Sequence, residues 1–142
     1  MKTSRQILFL AAVAMFVFGC GNWQKAPIRD TPPRMTIEEL KANLNDRDLI
    51  ILDVRAAEDW KRSDKKIQGS VREVAAHFAE WAPKYSKEKT LVLYCACPND
   101  GTSAHVAQRL IGMGYGKVFA LKGGWKAWET AGYPLEAKDA AD

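Results

Sequence analysis

The sequence predicts an α/β domain: a small parallel sheet flanked by helices on both faces. Three observations carry this. The runs LIILDV at 49–54, TLVLYC at 90–95 and KVFAL at 117–121 are apolar almost throughout, as strands buried on both faces of a sheet are. Between these runs lie segments with helical spacing, and glycine- or proline-bearing turns separate the two kinds. Strand–helix alternation with right-handed crossovers leads to a parallel sheet between helical layers.

Each element has its own justification. Thr36 followed by Glu39 forms a capping box, and Ile37, Leu40 and Leu44 make one apolar stripe, so the spacing predicts a helix over 36–44. The strand 49–54 follows. AAEDWKRS at 56–63 reads as a short helical turn, and IQGSV at 67–71 as a loop entering a brief strand. VAAHFAEWAPKY at 74–85 reads as an amphipathic helix stopped near Pro83. After the strand 90–95 comes the helix 103–114, with Ser103 placed to cap it, then the strand 117–121. The helix 123–132 is closed by Gly132 and Pro134. The 142 residues, 47% of them hydrophobic, suffice for one core.

The chain divides into a leader at 1–19, a tether at 20–34, the folded domain at 35–136 and a tail at 137–142. Lys2 and Arg5 precede an uncharged run from Ile7 to Gly19, the pattern of a secretory signal and short against the roughly 20 residues of a spanning helix. The run ends in VFGC, which resembles a bacterial lipobox through Val17, Gly19 and Cys20; an uncleaved N-terminal anchor is the alternative. On the lipobox reading Cys20 is lipidated, and Gly21 after it, by resemblance to Gram-negative lipoproteins, points to the periplasmic side of the outer membrane. The segment GNWQKAPIRDTPPR at 21–34 is polar, proline-bearing and aperiodic, as a tether is. Lys2 and Arg5 leave with the leader, so of 21 basic residues 19 stand against 17 acidic ones. With no basic stripe, nucleic acid is not an expected partner.

The chemistry concentrates in YCACPNDGTS, residues 94–103. A cysteine at the end of a central strand, followed by a tight loop and a helix, is placed to be a nucleophile, because loop amides and the helix dipole stabilise a thiolate there. Strand alternation sends Leu91, Leu93 and Cys95 to one face. Cys95 is then either a small buried hydrophobe or a resolving thiol for its neighbour.

Residues 36–135 resemble the single-domain rhodaneses, the sulfurtransferase family. ILDVRAAEDW, KIQGSV, VLYC and LKGGWKAW match four family segments in order. Measured from Cys97, the family pattern falls on Ser103, Leu110, Gly114, Tyr115, Gly123, Gly124 and Trp125 without a gap; measured from Cys95 it needs a two-residue insertion. The tyrosine–cysteine pair at the strand end speaks for Cys95. The resemblance thus implies sulfane-sulfur transfer through a persulfide on Cys97, with Cys95 the alternate, cradled by Pro98, Asn99, Asp100, Gly101, Thr102 and Ser103.

Asp53 and Arg55 are implied as an ion pair bracing that rim, though Arg55 could instead touch an anionic donor. Glu58 and Trp60 read as helix-surface and packing residues, and Lys66 stands where the family often has histidine. Partners implied are a small-molecule or protein sulfur donor, a thiol acceptor and, through the anchor, a membrane. No cofactor or metal is expected, and monomer is the default state.

Thr102 occupies a position where the family often has a cation, and Asp100 adds negative charge, so thiosulfate is expected to be a weak donor beside a thiol persulfide. A cysteine phosphatase would need an arginine six residues after its nucleophile. Ser103 or Gly101 stands there instead. Zinc binding by Cys95, Cys97, His77 and His105 lacks paired ligand spacing. The competing reading is a non-catalytic rhodanese-like binding or redox module using the Cys95/Cys97 pair.

Overall fold

A computed structural model describes residues 31–138. The leader, Cys20 and most of the tether lie outside the described residues, as does the end of the tail.

Parallel strands build the main sheet: β1 (Arg34–Met35), β2 (Leu49–Asp53), β4 (Val71–Arg72), β5 (Thr90–Tyr94) and β6 (Val118–Leu121), in the order β1-β6-β5-β2-β4. β2 and β5 pair along their whole length, from Leu49 opposite Thr90 to Asp53 opposite Tyr94. Side chains alternate across this pair. Leu52, Leu91 and Leu93 enter one core with Trp81, Val106 and Leu110; Ile51, Val92 and Tyr94 enter a second with Leu40, Trp125 and Trp128. This two-sided burial explains why the runs are apolar without alternation.

Helices cover both faces. α4 (Gly101–Gly112) supplies Val106, Ala107 and Leu110 to the first core. α1 (Ile37–Ala42) and α5 (Gly124–Thr130) supply Leu40, Trp125 and Trp128 to the second. The expected capping box is present: Glu39 N–H donates to Thr36 Oγ1 at 3.2 Å, and Thr36 N–H to Glu39 Oε2 at 2.8 Å. α2 (Ala57–Arg62) buries no residue fully.

Four elements differ from expectation. Arg34 belongs to β1, so the sheet begins inside the segment read as tether; the Ala120 and Lys122 amides donate to Pro33 and Met35 carbonyls at 3.0 and 2.9 Å. A second, antiparallel sheet joins β3 (Lys65–Ile67) to β7 (Leu135–Ala137), which brings the last turn back beside Ile67. The segment 74–85 is not one helix. It is a 3-10 turn (Ala75–His77), a single α turn α3 (Phe78–Trp81) and another 3-10 turn (Ala82–Lys84); Pro83 lacks a donor, and the Trp81 indole N–H reaches back to the Val74 carbonyl at 2.9 Å. Finally, α4 starts at Gly101, and Ser103 lies within its first turn rather than capping it.

Trp128 is fully buried, its indole N–H donating to the Pro134 carbonyl at 3.0 Å and its ring meeting Tyr133 edge-on. Trp128→Ala is expected to cost about 3–5 kcal/mol through the cavity it opens, read from the urea midpoint. A loss below about 1 kcal/mol would show that α5 collapses onto the sheet without it.

Candidate active site

The carboxyl end of β5 is held from two sides. On one, Tyr94 is fully buried and its hydroxyl donates to Asp53 Oδ2 at 2.5 Å, while Ser70 Oγ lies 3.1 Å from that hydroxyl and the Ile67 amide donates to it at 3.2 Å. On the other, the Cys95 carbonyl accepts the Trp125 amide at 2.9 Å. Gly124 makes that approach feasible: its φ is +52°, and a Cβ there would overlap the Cys95 carbonyl oxygen.

Asp53 and Arg55 form a buried ion pair at the end of β2. The carboxylate accepts from Arg55 Nε at 2.9 and 3.0 Å, from Arg55 Nη2 at 2.6 Å and from the Arg55 amide at 3.1 Å. The Arg55 guanidinium lies 4.1 Å from the Trp125 ring centre and 4.9 Å from that of Trp60. With its side chain 1% exposed, Arg55 is closed off from any donor in solvent. Trp60 is thus a packing partner of this cation, Glu58 is exposed, and Lys66 is buried near Glu136.

Beyond Cys95 the chain turns sharply. Asn99 and Asp100 both adopt left-handed backbone conformations, with φ of 55° and 58°, before α4 begins. Asn and Asp tolerate this better than most residues, and the second is tied down. Asp100, 4% exposed, forms an ion pair with Arg34 and accepts the Gly123 amide at 3.1 Å; Arg34 also donates to the Asn99 carbonyl at 3.2 Å. A single carboxylate therefore joins β1, the cysteine loop and the start of α5.

Asp100 is not a bare negative charge beside the sulfur, because Arg34 neutralises it. Arg34 was not found from the sequence: a two-residue edge strand has no period, and its ion pair spans 66 positions.

Cys95 and Cys97 are joined as a disulfide, with their Cα atoms 5.6 Å apart. Cys95 is 2% exposed and belongs to the core, as strand alternation predicts; Cys97 is half-buried against it. The Thr102 amide donates to Cys97 Sγ at 3.2 Å. The wider ring of inward amides is not displayed in this oxidised loop, since the Asp100 and Gly101 amides donate to the Cys97 and Pro98 carbonyls and Pro98 has no N–H. Ser103 is fully buried and turned from solvent, its hydroxyl donating to the Asp100 carbonyl at 3.1 Å with Cys95 Sγ 3.6 Å away. Pro98 and Asn99 are exposed at the tip.

Beside Thr102 opens a groove of about 450 Å³, walled by Ala75, Ala76, Phe78, Gly101, Val106 and the exposed His105. Among the described residues no three His, Cys, Asp or Glu side chains stand together as metal ligands.

Residues 36–131 match the family model described as the rhodanese-like domain. The chain is 31% identical over 84 residues, 59% of this chain and 75% of the other, to a thiosulfate sulfurtransferase, GlpE, of Coxiella burnetii. A structure from Rhodopseudomonas palustris, described as a protein of unknown function and possible tyrosine phosphatase, superimposes with a TM-score of 0.65 at 29% identity, covering 74% of this chain and 85% of its own. A rhodanese-like domain from Anabaena superimposes with a TM-score of 0.64 at 26% identity, covering 75% and 80%.

The buried polar network has a titration signature. Burial, with the Asp53 carboxylate beside it, pushes the Tyr94 phenol far above its usual range; burial and the hydrogen bond to Glu73 do the same for Tyr85. Folding favours both neutral phenols, so their contribution to stability is present below the free phenol value of about 10 and is lost as pH rises. In an alkaline ultraviolet titration Tyr85 and Tyr94 are expected to ionise only as near-ultraviolet circular dichroism collapses. All four tyrosines ionising together with the fold intact would contradict this.

Proposed function

The chain belongs to the rhodanese-like family, and from that premise we propose that it transfers sulfane sulfur through a persulfide on Cys97. The observation that carries this is the Thr102 amide at 3.2 Å from Cys97 Sγ, at the carboxyl end of a central parallel strand. Ligands of open α/β sheets bind on that edge. The reduced form is the working one, since the disulfide occupies the nucleophile.

In that form the Cys97 thiolate, stabilised by the Thr102 amide and the start of α4, attacks the outer sulfur of a donor persulfide. The donor's S–S bond breaks, its thiolate departs, and Cys97 carries the sulfur as a persulfide. An acceptor thiolate then attacks the outer sulfur and restores the Cys97 thiolate. No cofactor enters the cycle.

The groove supports an organic persulfide as donor. Ala75, Ala76, Phe78 and Val106 offer an apolar wall for its organic part, and the lining carries no fixed charge. The reason for disfavouring thiosulfate therefore shifts from Asp100, which Arg34 neutralises, to the lack of a cation at Thr102. Phosphate-ester hydrolysis is less favoured: the sixth residue after Cys97 is the buried Ser103, which cannot grip a phosphate as arginine does. The lipobox-like stretch ending at Cys20 supports a lipid-anchored, extracytoplasmic location, where the cysteine pair can oxidise.

With excess thiol as acceptor, Cys97→Ser is expected to reduce sulfur transfer from glutathione persulfide to the uncatalysed background. Persistence of the wild-type rate would remove Cys97 from the reaction. Thr102→Arg, which keeps the amide and adds a cation, is expected to improve kcat/KM for thiosulfate roughly fivefold, the worth of about 1 kcal/mol from one partly exposed charge pair. An unchanged ratio of thiosulfate to persulfide turnover would show that this position does not set donor choice.

A further inference from the structure

We infer that Cys95 and Cys97 form a reductive-release pair: sulfur loaded on Cys97 leaves as hydrogen sulfide when Cys95 attacks, and the chain is left with the Cys95–Cys97 disulfide. The inference rests on the reading of Cys97 as sulfur acceptor and adds a second product to it. The two sulfurs are bonded, which places Cys95 Sγ within reach of the inner sulfur of a Cys97 persulfide. Cys95 is 2% exposed. No donor or acceptor in solvent has access to it, so its one reaction partner is its neighbour.

The regiochemistry follows from this placement. An external thiol approaches the outer sulfur of the persulfide and carries it away. Cys95, beneath the loop, meets the inner sulfur, and attack there expels the outer sulfur as hydrosulfide. The persulfide S–S bond breaks and the Cys95–Cys97 S–S bond forms. Two electrons pass to the departing sulfur, the cysteine pair is oxidised, and the Cys95 proton leaves with the hydrosulfide.

The surroundings suit Cys95 to this step. Its carbonyl is fixed by the Trp125 amide, so the thiol does not drift from the loop. Ser103, whose proton goes to the Asp100 carbonyl, has its oxygen 3.6 Å from Cys95 Sγ, so in the reduced chain it can accept the Cys95 S–H and hold the thiol in position. A second turnover requires an external dithiol reductant, and that reductant must attack at the half-buried Cys97, because Cys95 is closed off. Without an acceptor thiol the protein therefore reduces sulfane sulfur to sulfide; with abundant acceptor it transfers the sulfur instead.

The test uses the reduced full chain, freed of reductant and mixed with thiosulfate, whose by-product sulfite is not a thiol. Released sulfide is measured together with the mass of the peptide spanning residues 94–109, which keeps Cys20 out of the count. The expected result is one sulfide per chain and a peptide lighter by two hydrogens. Cys95→Ser and Cys95→Ala, checked for folding by circular dichroism, are expected to release no sulfide and to gain one sulfur atom on that peptide.

A wild-type peptide that keeps the added sulfur, with no sulfide released, overturns the release step while the acceptor role of Cys97 stands. Sulfide release at the wild-type rate by the Cys95 variants also overturns it, assigning the chemistry elsewhere. Absence of both sulfur gain and sulfide in wild type and variants, with thiosulfate and again with glutathione persulfide as donor, overturns the acceptor reading, and the release step with it. If neither variant folds, the wild-type arm decides alone.

Discussion

The carboxyl end of β5 is fastened at two adjacent residues, and the loop carrying Cys97 starts from it. Tyr94 is fastened through Asp53 to the neighbouring strand, and Cys95 is fastened through its carbonyl to the first turn of α5. These restraints act on adjacent residues, one through the neighbouring strand and one through α5, so the loop carrying Cys97 starts from a doubly fastened point. A buried carboxylate with a guanidinium and a phenol is a costly arrangement in isolation. Here every acceptor is supplied, and among the described residues no buried side-chain nitrogen or oxygen lacks a partner. Such a fully satisfied network fixes geometry more than it adds stability.

The sequence was most informative where a pattern repeats. Continuous apolar runs marked β2, β5 and β6, the capping box marked α1, and alternation placed Cys95 in the core. Pairings distant along the chain were out of reach. β1 and β7 span two and three residues, too few for a period, and each is defined by its neighbour in space. The segment 74–85 had helical spacing, yet spacing cannot weigh Pro83 against a tryptophan that bonds back to the start of the turn. Ser103 had the chemistry of a cap, but two left-handed residues before it advance the start of α4 to Gly101. Within the candidate site, the position of the loop after β5, the proximity of the two cysteines and the Asp53–Arg55 ion pair were legible. Arg34, and with it the electrostatic state of Asp100, was not.

That omission changes how the site's charge is understood. A carboxylate five-hundredths exposed near a thiolate would raise the thiol's resistance to ionisation and repel anions if it stood alone. Paired with Arg34 and an amide, it becomes a mechanical element, and its field on the sulfur is largely cancelled.

The edge strand β1 has a further consequence. Two residues of backbone pairing would ordinarily fray freely, but peeling this edge withdraws the Arg34 guanidinium and strands a buried anion with one remaining donor. The penalty ties the margin of the sheet to the loop, so that the outermost strand opens in concert with the cysteine turn rather than before it. An apparently peripheral segment is in this way made a cooperative part of the centre.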